Sequence, residues 1–160
     1  MNSRATALVL TGALSLCITA AYAHKPDQKA SAADGACSVP REYVKLINGG
    51  KYDSVGSLFS DDAVYMGPDG KTRHGSKDIS AFYARFLPLL KPALRASKFF
   101  EQGDECMMEL ENKNHRTGEF NPTAVDHFTI DSAGKISSFI VYLRPGAEGS
   151  RVLRHALSTR

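Results

Sequence analysis

Residues 123–136, TAVDHFTIDSAGKI, decide how this chain is read. Taken alternately, Ala124, Asp126, Phe128 and Ile130 share one face of an extended strand, and Val125, His127 and Thr129 share the other. Ser132, Ala133 and Gly134 supply a turn and Ile136 opens the next apolar run, so the stretch predicts two strands joined by a short connection. One face of the first strand is apolar, yet it carries a carboxylate. Ionised, that carboxylate is costly to bury, so Asp126 either finds donors, keeps its proton or faces water.

Working outward, residues 136–144 continue the second strand, and residues 94–102, 105–111 and 117–131 read as strands, the last broken at Asn121 and Pro122. Within 105–111 the alternation is strict. Cys106, Met108 and Leu110 oppose Glu105, Met107, Glu109 and Glu111, so only one side of this part of the sheet is dry. Nearer the N-terminus the apolar period becomes helical. A helix over about residues 40–48 buries Tyr43, Leu46 and Ile47 and is stopped by Gly49 and Gly50. A second, capped by Asp53, buries Val55, Leu58 and Phe59. A short strand over 63–66 and the turn residues Gly67, Pro68, Asp69 and Gly70 follow. A third helix, capped by Ser76, carries the stripe Ile79, Phe82, Tyr83 and Phe86 and ends at Pro88 and Pro92. Helices first and consecutive strands after predict an α+β fold, a cone-shaped curved antiparallel sheet wrapped around three N-terminal helices. The mouth of such a cone admits a small molecule.

The chain opens with MNSRATALVLTGALSLCITAAYA, in which Arg4, an apolar run from Ala5 to Ala20 and the triplet Ala21, Tyr22, Ala23 form the pattern of a secretory signal peptide over residues 1–23. The run is short for a membrane span, and Leu16 before Cys17 is too bulky for lipoprotein processing. The expectation is an exported protein, free of the membrane after cleavage, with a flexible leader over 24–36, one domain over 37–144 and a tail over 145–160. That tail reads either as a short basic helix or as loose chain. Cleavage removes one charge, Arg4, from a formal net charge of +3. The balance left is too small and too scattered for a nucleic-acid footprint. Cys37 and Cys106 remain, either bridged, as export permits, or with Cys106 as a small buried hydrophobe. His24, His74, His115, His127 and His155 make no i,i+4 pair and no HxH, so no metal is expected, and no cofactor. There is no glycine-rich phosphate loop and no nucleophile elbow, and Asp61 and Asp62 read as loop residues that bond nearby backbone.

REYVKLINGGKYDSVGSLFSDDAVY, then RHG with the AFY of the third helix, then AVDHFTIDSAGKI, resemble in order and spacing the SnoaL-like branch of the nuclear-transport-factor-2-like superfamily. Within that branch the chain from Arg41 to about Leu143 is most similar to the bacterial ketosteroid isomerases. The resemblance implies a cystatin-like α+β roll. In those isomerases a tyrosine from the first helix and a protonated aspartic acid from a late strand donate hydrogen bonds to a steroid carbonyl oxygen. Tyr43 and Asp126 stand at these places as oxyanion-hole or ligand anchors, Tyr83 resembles the supporting tyrosine, and Tyr65, Phe82, Phe86 and Phe128 are expected to line the pocket.

One part of the pattern is absent. Where the isomerases carry the aspartate that shuttles the proton, this chain has Gly67. Asp69 follows Pro68 in a turn, Tyr65 holds its proton too tightly to be an efficient base near neutral pH, and His74 reads as a surface residue before the third helix. The expected function is a pocket protein for a small apolar carbonyl-bearing molecule, non-catalytic or weakly catalytic. An isomerase or cyclase with a base from another position is the alternative. A third reading is a homodimeric association module, formed through sheet faces bearing Phe139, Val141 and Leu143.

Overall fold

The computed structural model describes residues 35–146 together with Arg151, His155 and Ser158. The expected signal peptide and residues 24–34 of the leader lie outside the described residues, and beyond Gly146 the tail is described only at Arg151, His155 and Ser158, each helical. Gly35 and Ala36 belong to the turn into the first helix, where the Ser38 N–H donates to the Gly35 carbonyl at 2.9 Å.

Helix α1 spans Ser38–Asn48 and buries Pro40, Tyr43 and Ile47. Pro40 is tolerated because the first turn has no partner for its missing N–H. Gly50, at φ +68°, ends the helix in the left-handed region that glycine enters without strain. Asn48 then ties α1 to the sheet, donating from Nδ2 to the Leu94 carbonyl at 2.8 Å and accepting the Leu94 N–H at 2.7 Å. The second helical segment is a 3-10 helix, Tyr52–Leu58; Asp53 makes no side-chain cap bond, and Phe59 already belongs to strand β1, Phe59–Met66. Asp61 and Asp62 are therefore strand residues, not loop residues.

Strand β2, Thr72–His74, was not foreseen, being three residues long with only Arg73 buried. It leads into α2, Gly75–Leu90, whose buried stripe is Ile79, Phe82, Tyr83, Phe86 and Leu87. Ser76 does not cap this helix. Its hydroxyl donates to the Asp61 carboxylate at 3.0 Å. The helix starts at Gly75, φ +80°, where a Cβ would stand 2.8 Å from the Asp61 carbonyl oxygen. Pro88 lies inside its last turn, and Lys91, left-handed at φ 43°, closes it with an N–H bonded to the Leu87 carbonyl.

Strands β3 (Leu94–Gln102), β4 (Glu105–Lys113), β5 (Phe120–Ile130) and β6 (Ile136–Leu143) complete a six-stranded sheet of order β2-β1-β6-β5-β4-β3. The sheet is mixed rather than antiparallel throughout, because β1 and β6 pair parallel. These two strands are far apart in sequence, which the long crossover of a parallel pair requires. The sheet's inner face packs on the helices. Tyr65, Phe139, Phe128 and Cys106 form one row across β1, β6, β5 and β4, and all four are buried. Cys106 is disulfide-bonded to Cys37, fastening the start of α1 to the sheet. Among the described residues no helix is long and apolar enough to cross a membrane.

Phe139 thus faces inward, with Val141 and Leu143 packed beside the core. The opposite face carries its own row, Met66, Ile140, His127, Met107 and Phe100, in register across five strands.

Candidate functional site

Asp126 lies mid-way along β5 and faces inward. Its cross-strand partners are Met108 on β4 and Val141 on β6, neither of which carries a hydrogen-bond donor. The side chain is 1% exposed, and Oδ1 has no hydrogen-bond partner. Burial penalises the charged form with nothing to offset it, and pushes the carboxyl from 3.8 up to about 8. Of the three options open to this residue, keeping its proton is the one realised. At pH 7 it is mainly a neutral acid with a hydrogen to donate.

Tyr43 projects from the buried face of α1, and Tyr83 from α2. Their hydroxyl oxygens are 3.2 Å apart. Tyr65 is a further hydroxyl partner of Tyr83, so the three phenols form one cluster in which two bonds use two of the three hydroxyl hydrogens. Burial raises both phenols well above their ordinary range, and the nearby Asp126 carboxyl adds to the effect on Tyr43. Burial likewise raises Tyr65. All three act as neutral hydroxyls. Tyr43 is held edge-on against Phe128 and Phe139, with ring centroids 5.8 and 5.5 Å away.

These groups stand at one end of a cavity of about 220 Å³. Tyr43, Tyr65, Phe82, Tyr83, Phe86 and Asp126 all line it. Phe128 does not. It stacks on Phe139 at 4.2 Å, behind Tyr43, and supports the floor without reaching the space. No bond joins Tyr43 directly to Asp126; Tyr43 bonds Tyr83. The sequence reading missed the aliphatic walls, among them Ile47, Leu87 and Leu110, and the polar residues of the β4–β5 hairpin at the other end.

Gly67 lies against an ion pair. Arg73 donates to both carboxylate oxygens of Asp69, at 3.1 and 2.6 Å, and lays its guanidinium on the Phe82 ring at 3.7 Å. Partial burial works against the Asp69 charge, but the Arg73 hydrogen bonds and the Lys71 N–H outweigh it and hold the carboxyl below its usual range. Neither Asp69 nor Arg73 lines the cavity. His74 is exposed on β2. Among the described residues no group of three or more His, Cys, Asp or Glu side chains is placed to hold a metal ion.

A family model, the SnoaL-like domain, matches residues 41–139. The chain belongs to the SnoaL-like family. Solved structures agree on the fold. An NTF2-like protein of unknown function from Cytophaga hutchinsonii superposes with a TM-score of 0.55 at 18% identity, covering 69% of this chain and 90% of that one. The epoxide hydrolase/cyclase-like enzyme SalBIII, described for pyran ring formation in the polyether salinomycin, superposes with a TM-score of 0.56 at 22% identity, covering 69% of this chain and 91% of that one.

In this SnoaL-like chain the inner end of the cavity offers hydrogen-bond donors and no ready proton acceptor. Asp126 is mostly protonated near neutral pH, the three tyrosines are held neutral, and the Asp69 carboxylate is spent on Arg73. Such a donor set is complementary to an acceptor oxygen surrounded by apolar substance.

Proposed function

We propose that this SnoaL-like protein is an exported pocket protein that binds a small, largely apolar, carbonyl-bearing molecule and turns it over weakly or not at all. Asp126 carries the reading. It is a buried carboxyl that faces a cavity, keeps its proton near neutral pH and has an oxygen without a partner. A buried polar group left unsatisfied costs about 1–3 kcal/mol, which a hydrogen bond from the protonated carboxyl to an acceptor oxygen on a ligand would recover. The one hydroxyl hydrogen left over in the Tyr43, Tyr83 and Tyr65 cluster supplies a second donor, the arrangement that the likeness to ketosteroid isomerases implies. The missing base argues for binding over proton shuttling.

The test is a thermal-shift and calorimetric screen of alkyl-substituted cyclohexanones against the matching cyclohexanes. Binding of ketones but not of hydrocarbons, lost in Asp126→Leu, supports the reading. Equal behaviour of ketone and hydrocarbon removes it.

A protonated Asp126 also favours a second reading, an acid-assisted isomerase or cyclase. The carboxyl would give its proton to a substrate epoxide or carbonyl oxygen while a substrate hydroxyl attacks carbon and returns a proton. The fold shared with SalBIII motivates it. Turnover of an epoxy-alcohol that disappears in Asp126→Asn would favour this reading over simple binding.

Two further parts of the proposal rest on other observations. The Cys37–Cys106 disulfide supports export, because such bonds persist in oxidising compartments. The outer row, with Met66, Met107 and Phe100 each more than a third exposed, supports a homodimer formed face to face through the sheet.

A further inference from the structure

The two ends of the cavity differ in chemistry. Asp126, Tyr43 and Tyr83 are buried at the inner end, and the walls are aliphatic and aromatic. The outer end is built by the β4–β5 hairpin, with Asn112, Lys113, Asn114 and His115 on one arm and Asn121 and Thr123 on the other. Exposure rises in the same direction, since Lys113 and His115 are open to solvent while Asp126 is sealed. The hairpin therefore forms the mouth.

This mouth is fixed in shape. The Asn114 carboxamide oxygen accepts the Arg116 and Thr117 N–H groups at 2.9 and 3.3 Å. His115 Nε2 donates to the Lys91 carbonyl at 3.0 Å, docking the hairpin tip on the end of α2. Asn112 Oδ1 accepts the Ala93 N–H at 3.1 Å, and its Nδ2 has no partner among the described residues.

The mouth is also electrically one-sided. Lys113 forms no ion pair among the described residues. Among the described residues Asp126 is the only acidic residue that lines the cavity; Glu119, on the same hairpin, does not. Lys113 and Asn112 are both lining residues of the mouth, and an ammonium with a carboxamide N–H brought to that rim is complementary to a carboxylate at the far end of whatever fills the cavity.

We infer that the ligand is an amphipathic keto acid, its carbonyl at Asp126 and its carboxylate at the mouth against Lys113 and the Asn112 amide. The inference rests on the reading of Asp126 as the carbonyl anchor. An exposed charge pair contributes little in open water and more beside apolar walls, so the acid should bind about 5- to 10-fold more tightly than its ester.

The probes are ω-(4-oxocyclohexyl)alkanoates of increasing chain length, their methyl esters, and the matching cyclohexylalkanoates without the ketone, titrated calorimetrically. At the length that spans the cavity the keto acid outbinds its ester, and the preference shrinks as salt rises from 50 to about 500 mM. Lys113→Met, which keeps the apolar stem, abolishes the preference and leaves ester affinity unchanged. Acids no tighter than esters at every length, or a preference that survives Lys113→Met, overturn the inference while ester binding keeps the carbonyl reading intact. Ketone-free acids that bind as well as keto acids, in a Lys113-dependent way, overturn the carbonyl reading and keep the mouth. Failure of all three series overturns both.

Discussion

The Arg73 guanidinium fills the space into which a side chain at Gly67 would project, 2.8 Å from where the Cβ would stand. Asp69 Oδ1 is 2.9 Å from the same point and Tyr65 Cε1 3.2 Å. Gly67→Ala is expected to destabilise the fold by roughly 1–3 kcal/mol, because Arg73 is held by both Asp69 and Phe82 and must loosen those contacts to make room. Thermal unfolding checks this, and an unchanged Tm would mean that the pair is loosely held. Gly67→Asp is expected to create no isomerase, since its carboxylate would fall against Asp69 and compete for Arg73.

Tyr43→Phe removes one member of the phenol pair and retains the ring that packs on Phe128 and Phe139. Stability should change by only about 1 kcal/mol, the net worth of one hydrogen bond, whereas cyclohexanone affinity should fall about 10-fold. Calorimetric titration measures it. A ketone affinity that is unchanged would exclude Tyr43 from the site.

The Cys37–Cys106 bond joins positions 69 residues apart. Closing a loop of that length in the unfolded chain is worth about 4 kcal/mol. Cys37→Ala with Cys106→Ala should lower stability to denaturant by that order. Wild-type protein under reducing conditions should fall by a similar amount. Equal midpoints in oxidising and reducing buffer would show that the bond contributes nothing.

What could be read in the sequence was what is local. The alternation through Ala124, Asp126, Phe128 and Ile130 exposed the dry face and its misplaced acid, and the 3.6-residue stripe of α2 placed Phe82, Tyr83 and Phe86. Non-local features were not legible. Strand β2 is too short for periodicity, and the parallel pairing of β1 with β6 depends on how distant strands meet. Phe139 was turned the wrong way because residues 139–143 are apolar on both faces, and only its register with Phe128 and Tyr65 decides which side is in. The Asp69–Arg73 pair needs the turn at Pro68 to fold β2 back on β1, and no local pattern reports that. The mouth residues 112–115 read as an ordinary polar hairpin, since nothing in their spacing tells which hairpin overhangs a cavity.

Met107 stands at the outer row, 38% exposed, beside His127, whose Nε2 donates to Glu105 at 2.8 Å. If this face is the dimer contact, wild type should show twice the monomer mass by light scattering at micromolar concentration, and Met107→Glu should be monomeric. A monomeric wild type contradicts the dimer.

Asp126 also sets a pH dependence of stability. Its folded pKa, about 8, lies above the unfolded value near 4, so the folded state holds a proton that the unfolded state releases. Stability is therefore greatest below about pH 4 as far as this group is concerned, falls as pH rises toward 8, and levels off above. The total loss is on the order of 5 kcal/mol. Asp126→Asn removes the penalty and should be more stable than wild type by roughly 2–4 kcal/mol near pH 7.

The most direct measurement is the titration of the Asp126 side-chain carbon by ¹³C NMR, assigned by its loss in Asp126→Asn. The account predicts a midpoint near pH 8, moved higher when a saturating cyclohexanone accepts the proton's hydrogen bond. A carboxyl already ionised at pH 5, in the free and the ketone-loaded protein alike, contradicts it.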